Sequence, residues 1–135
     1  MKFTAANKVR FIPGQLYMGG MIKLEPDSQG WLTAVDASTG AVKWKYRSSR
    51  PMVAAVTATK GNVIFTGELN GDFLALDARN GKVLYRFNTG GAIGGGVVTY
   101  EEGGKQYVAV ASGRPSAFWT SKYPGAPTVF LFALQ

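Results

Sequence analysis

The chain has 135 residues, 46% of them apolar, and its 15 Lys and Arg outnumber 8 Asp and Glu to give a net charge of +7. That length suits one domain, and the apolar share argues against disorder. Cysteine and histidine are both absent, which excludes disulfides, thiolate metal sites and any nucleophile activated by an imidazole.

Residues 1–14 carry Lys2, Lys8, Arg10 and Pro13 without periodicity and read as an irregular lead-in. The opening residues lack the apolar core of a signal peptide, and no apolar run approaches the roughly 18 residues of a membrane span. Gln15 to Leu24 is a strand candidate interrupted by Gly19 and Gly20, and Pro26 to Gly30 is a loop by composition. Strands follow at about 31–37 and 41–47. Lys43, Lys45 and Arg47 alternate along the second of these. They read as a solvated strand face, with an anion-binding face as the other option, so no nucleic-acid partner is expected.

Ser48 to Pro51 breaks the pattern, and Val53 to Ala58 resumes it as a strand of small side chains. Small residues allow a close approach, either by neighbouring backbone at a crowded axis or by a ligand. Strands at about 63–68 and 72–77 are joined through Asn70-Gly71, and a further strand runs to Phe87. A glycine-rich stretch, Gly90 to Gly96, precedes strands near 97–100 and 106–112. Next comes a proline-containing loop bearing Phe118, Trp119 and Tyr123, and then a closing strand at 128–134. About ten strands result. In that loop Trp119 is the aromatic residue to test first for a ligand role, with a loop anchor as the plainer reading.

Residues 30–46 and 71–87 are copies offset by 41 positions: Gly30/Gly71, Ala34/Ala75, Asp36/Asp77, Ala37/Ala78, Gly40/Gly81 and Val42/Val83 coincide. Each aspartate closes an alternating segment and can accept hydrogen bonds from backbone N–H groups two residues on, while each glycine supplies the positive φ before the next strand. Identical placement in both copies makes Asp36 and Asp77 turn formers, not a catalytic pair or calcium ligands. Trp44 and Tyr85 end up as packing residues between sheets. A period near 41 with four antiparallel strands per repeat describes a β-propeller blade. The expected fold is therefore all-β: a partial β-propeller of about two and a half to three blades with strands grouped 3+4+3. Residues 15–135 form it, as a partial blade at 15–47, a complete one at 53–87 and a partial one at 94–135. Fewer than the roughly four to eight blades of a closed ring leave apolar faces and strand edges uncovered. Association with further blades or with copies of itself is the expectation.

The stretch Ala34 to Trp44 resembles the tryptophan-docking motif of quinoprotein dehydrogenases, propellers that carry pyrroloquinoline quinone (PQQ). Ala75 to Tyr85 is similar, with Tyr in place of Trp, and Gly67 to Asp77, Phe87 to Gly96 and Gly104 to Gly113 extend the likeness over most of 15–134. The resemblance implies the C-terminal segment of an enzyme that oxidises alcohols or sugars, usually periplasmic. The catalytic aspartate, the calcium ligands and most cofactor contacts would then lie in earlier blades, so no catalytic or metal-binding residue is expected here. Two places could touch the quinone in a complete ring. Val53, Ala54 and Ala55 stand where the family often has a Trp-Gly-Gly-like platform, and Gly94 and Gly95 either approach the cofactor with backbone or simply pack near the axis. The chain alone is expected to bind no cofactor and to be inactive. The competing expectation is a non-catalytic binding or assembly module that oligomerises through its open blade edges.

Overall fold

The computed structural model describes residues 2–8, 12–15, 17–23, 25, 28–113 and 125–133. Among the described residues eleven strands make up the regular structure: β1 Lys2–Ala5, β2 Gly20–Lys23, β3 Gly30–Val35, β4 Val42–Ser48, β5 Thr57–Ala58, β6 Val63–Gly67, β7 Asp72–Asp77, β8 Val83–Asn88, β9 Val97–Glu102, β10 Lys105–Ser112 and β11 Thr128–Ala133. All pairings are antiparallel, in sheets ordered β1-β2, β3-β4, β5-β6-β7-β8 and β11-β10-β9. Among the described residues no helix is long and apolar enough to cross a membrane.

The repeated hairpins form as their turn residues dictate. In the first, Gly40 N–H donates to Asp36 O at 2.8 Å, with Gly40 at φ 72°; in the second, Gly81 donates to Asp77 O at 2.8 Å, with Gly81 at φ 74°. Each hairpin also carries a register shift at the same place, between Ala34 and Val35 and between Ala75 and Leu76. One extra residue, Lys43 or Leu84, is accommodated there as a bulge.

Alternation along β6 and β7 gives the four-stranded sheet two buried faces. Phe65, Phe73 and Ala75 point one way and join Ile93, Val97, Val108 and Val110 in the main core, shared with the three-stranded sheet. Phe132 of β11 closes over it, stacked on Phe73 at 4.7 Å and set edge-on to Tyr85 and Phe87. The other face carries Leu74 and Leu76, both fully buried, toward β3 and β4. From that side Trp44 lies against Gly81 and donates its indole N–H to Ala78 O at 2.8 Å. Trp44 and Tyr85 therefore pack between sheets, as their place in the repeat indicates.

Two elements differ from the sequence reading. The lead-in is not wholly irregular, because Lys2–Ala5 pairs with Gly20–Lys23; a strand of four residues is too short to show a period. That pairing also separates β2 from β3 and β4, with which it was expected to form one sheet. The small-residue strand expected at 53–58 narrows to Thr57–Ala58, since the residues before it run beside the Gly94–Gly96 stretch instead of along β6.

The two hairpin glycines separate backbone strain from contact. A Cβ at Gly40 would meet nothing within 4 Å, whereas one at Gly81 would stand 2.5 Å from the Trp44 ring. Gly40→Ala should lower unfolding stability by about 1–2 kcal/mol for its left-handed backbone alone. Gly81→Ala should add an overpacking cost of roughly 1–3 kcal/mol. Urea midpoints measure the difference, and equal losses would show that the Trp44 contact contributes nothing.

Candidate functional site at the loop end of the sheets

Antiparallel order sorts the connections into two ends. Turns 36–41, 59–62, 78–82 and 103–104 lie at one end, and the connections that leave β4, β6 and β8, with Gly113 after β10, lie at the other. Asp36 and Asp77 are thus remote from the predicted cofactor contacts, all of which sit at the second end.

At the turn end both carboxylates are consumed locally. Asp36 Oδ1 accepts from Ser38 N–H and Thr39 N–H, each at 3.1 Å, and from the Ser38 hydroxyl at 2.6 Å, and Lys43 Nζ stands 3.0 Å from Oδ2. The Ser38 hydroxyl, then Lys43 and the two N–H groups, hold this carboxyl well below the usual range. Asp77 accepts from Arg79 N–H at 2.9 Å and pairs with the Arg79 guanidinium at 2.6 Å, which brings its pKa to about 2.

At the other end the structure brings the two predicted segments together. Ala55 N–H donates to Gly95 O at 3.0 Å, and the Thr57 hydroxyl donates to Val97 O. Val53 and Ala54 are half-buried, Ala54 against the main core; Ala55 is exposed, Gly94 half-buried and Gly95 exposed. A Cβ at Gly95 would meet only Ala111 Cβ, at 4.0 Å, and one at Gly96 would meet nothing within 4 Å. Packing among the described residues therefore does not demand glycine at either place. Gly95 O and Gly96 O are taken by Ala55 N–H and Ala111 N–H. Among the described residues the amides of Gly94, Gly95 and Gly96 have no hydrogen-bond partner. No aromatic platform stands at 53–55. Trp119 lies outside the described residues. Among those described, no group of three or more acidic side chains is placed to hold a metal ion.

The sequence reading missed the side chains that fix this rim. Ser112 Oγ donates to Gly91 O at 2.9 Å and hydrogen-bonds Thr89 Oγ1 at 2.6 Å. Ile93, fully buried, fills the space that a side chain at Gly67 would need, and its N–H donates to Glu68 O at 3.1 Å. Glu68, 3% exposed, accepts at Oε1 from the Tyr46 hydroxyl at 2.8 Å, and Arg86 lies 3.6 Å from its Oε2 while also pairing with Asp72. Burial, and then the Glu68 bond, raises the Tyr46 pKa. An acid at the end of an apolar strand, with a second, Asp72, just past the turn, was the available signal for Glu68.

A family model named PQQ_2, described as outer membrane protein assembly factor BamB, matches residues 16–120. The chain is 38% identical over 113 residues to the quinoprotein alcohol dehydrogenase PedE of Pseudomonas putida, a match covering 82% of this chain and 18% of that protein. It is 39% identical over 111 residues to the lanthanide-dependent methanol dehydrogenase of Methylorubrum extorquens, covering 78% and 18%. The crystal structure of quinohemoprotein alcohol dehydrogenase from Comamonas testosteroni superposes with a TM-score of 0.68 at 28% identity, over 78% of this chain and 16% of that one. The match thus takes in less than a fifth of the length of these relatives.

The Asp77 turn gives a pH dependence. Its pKa is depressed on folding from about 3.9. The stability it contributes is therefore complete above pH ~4 and fades as pH falls toward 2. Asp77→Asn should flatten acid unfolding in that window, read as the urea midpoint between pH 5 and 2; an unchanged slope would remove Asp77 as a source.

Proposed function

Because the chain belongs to the PQQ_2 family, and its relatives include quinoprotein alcohol and methanol dehydrogenases, we propose that it works as part of a quinoprotein dehydrogenase oxidising alcohols or sugars in the periplasm. The supporting observation is the rim formed where Ala55 meets Gly95, where among the described residues Gly95 and Gly96 have space above them and the amides of 94–96 have no partner. Glycine backbone without side chains would let the edge of a planar anionic quinone come close to main-chain N–H groups there. PQQ would bring the hydride- or electron-accepting carbonyl; Gly94 and Gly95 would orient its edge, and Val53 to Ala55 would line the approach. Among the described residues the rim holds neither a base nor an aromatic platform, and the isolated chain is proposed to be inactive and to bind no cofactor by itself.

A second reading, an assembly module, is favoured by one observation. The outer edge of β11 has no strand beside it among the described residues, and Val129 and Leu131 are 72% and 56% exposed. Copies of the chain, or further blades, would cover that edge.

Given PQQ, calcium and an alcohol, the isolated chain should leave an artificial electron acceptor unreduced; turnover would overturn the proposed inactivity. A chimera in which the chain replaces its counterpart in the Pseudomonas putida relative should oxidise alcohol, and Gly95→Val in it should raise the PQQ concentration for half-activity by about tenfold, a ~1.4 kcal/mol loss. An unchanged requirement would remove the rim from the cofactor site. Light scattering tests the second reading, which a monomer at every concentration would exclude.

A further inference from the structure

We propose that Glu68 is a positioning residue that fixes the 93–96 stretch, and with it the rim, through contacts to two sheets and to the connection that follows β8. As a contribution to cofactor binding the idea rests on the proposed function above; as a statement about the loop it does not.

The geometry is specific. Glu68 follows β6 and is almost wholly buried, yet both of its carboxylate oxygens have partners: Tyr46 of β4 at 2.8 Å and Arg86 of β8 at 3.6 Å. Its backbone is held as firmly, donating to Asp72 O at 2.9 Å and accepting from Gly71 N–H at 3.0 Å. The same carbonyl oxygen accepts Ile93 N–H at 3.1 Å. Ile93 is the last fully buried residue before Gly94. One residue thereby ties the β3-β4 hairpin to the β5–β8 sheet with its side chain, and the β5–β8 sheet to the rim with its main chain. A buried carboxylate cannot release Tyr46 and remain where it is, because the lost bond leaves a desolvated acceptor unpaired. The segment around Glu68 then moves, and the Ile93 bond moves with it. The Ala55–Gly95 bond, two residues further along, registers the displacement.

Amide hydrogen exchange in the 135-residue chain tests this without any cofactor. Glu68→Ala and Tyr46→Phe should each speed exchange at Ile93 and Ala55 by roughly tenfold or more, the size of a lost buried hydrogen bond. The β9–β10 ladder amides should stay protected. Glu68→Gln, which keeps an oxygen for the Tyr46 hydroxyl, should restore Ile93 and Ala55 to near their original rates. Trp44→Phe is the control, since it removes a bond at the opposite end and should leave both amides unchanged. Unchanged exchange at Ile93 and Ala55, or acceleration spread equally over all strands, would overturn the proposal; if Glu68→Ala does not fold, Tyr46→Phe alone decides. Loosened exchange in the chimera with an unaltered PQQ requirement would leave the positioning role standing and overturn the cofactor reading instead.

Discussion

A β-sheet buried on both faces has to be covered twice, and the β5–β8 sheet meets that constraint with two different chemistries. Toward β9–β11 the cover is aromatic and apolar, with Phe65, Phe73 and Phe132 stacked in sequence. Toward β3 and β4 it is mixed: Leu74 and Leu76 are buried beneath directed bonds from Trp44 and Tyr46. Apolar packing carries most of the free energy of such an interface but sets its register only loosely, whereas hydrogen bonds at 2.8 Å set it closely. The two bonds lie at opposite ends, Trp44 at the turns and Tyr46 at the loops, and so fix the tilt of one sheet on the other as well as its distance.

What the sequence disclosed was local. Asp36 with Gly40, and Asp77 with Gly81, each make their turn backbone hydrogen bonds within a span of six residues, so residue type and spacing carry the turn signal. The 41-residue repeat adds the blade-like strand order, and the likeness of Ala34 to Trp44 to a known motif adds the family. The parts that escaped are those whose partners lie far along the chain. Tyr46 and Glu68 are 22 positions apart, Tyr46 and Arg86 40, and Thr57 and Val97 40. Nothing in the composition of Val53 to Ala58 reveals that its first half follows a glycine stretch on another sheet.

The rim itself was half legible. Small residues at 53–55 and glycines at 94–95 invite close approach, and the sequence left open whether a neighbour or a ligand makes it. Among the described residues nothing comes closer than 4.0 Å to a Cβ at Gly95 or Gly96. The supports beneath, Ser112 on Gly91 and Glu68 on Ile93, are ordinary strand-end residues until the backbone shows what they hold.

The self-sufficiency of the Asp36 and Asp77 turns has a kinetic consequence. Because the Asp36 and Asp77 carboxylates find their partners within their own hairpins, β3-β4 and β7-β8 can close on the microsecond scale of isolated hairpins, before any long loop is ordered. The slow step is then the meeting of preassembled ribbons, governed by Trp44 and Tyr46 finding acceptors 34 and 22 residues away. Residues that define the mature architecture would on this account also time its appearance.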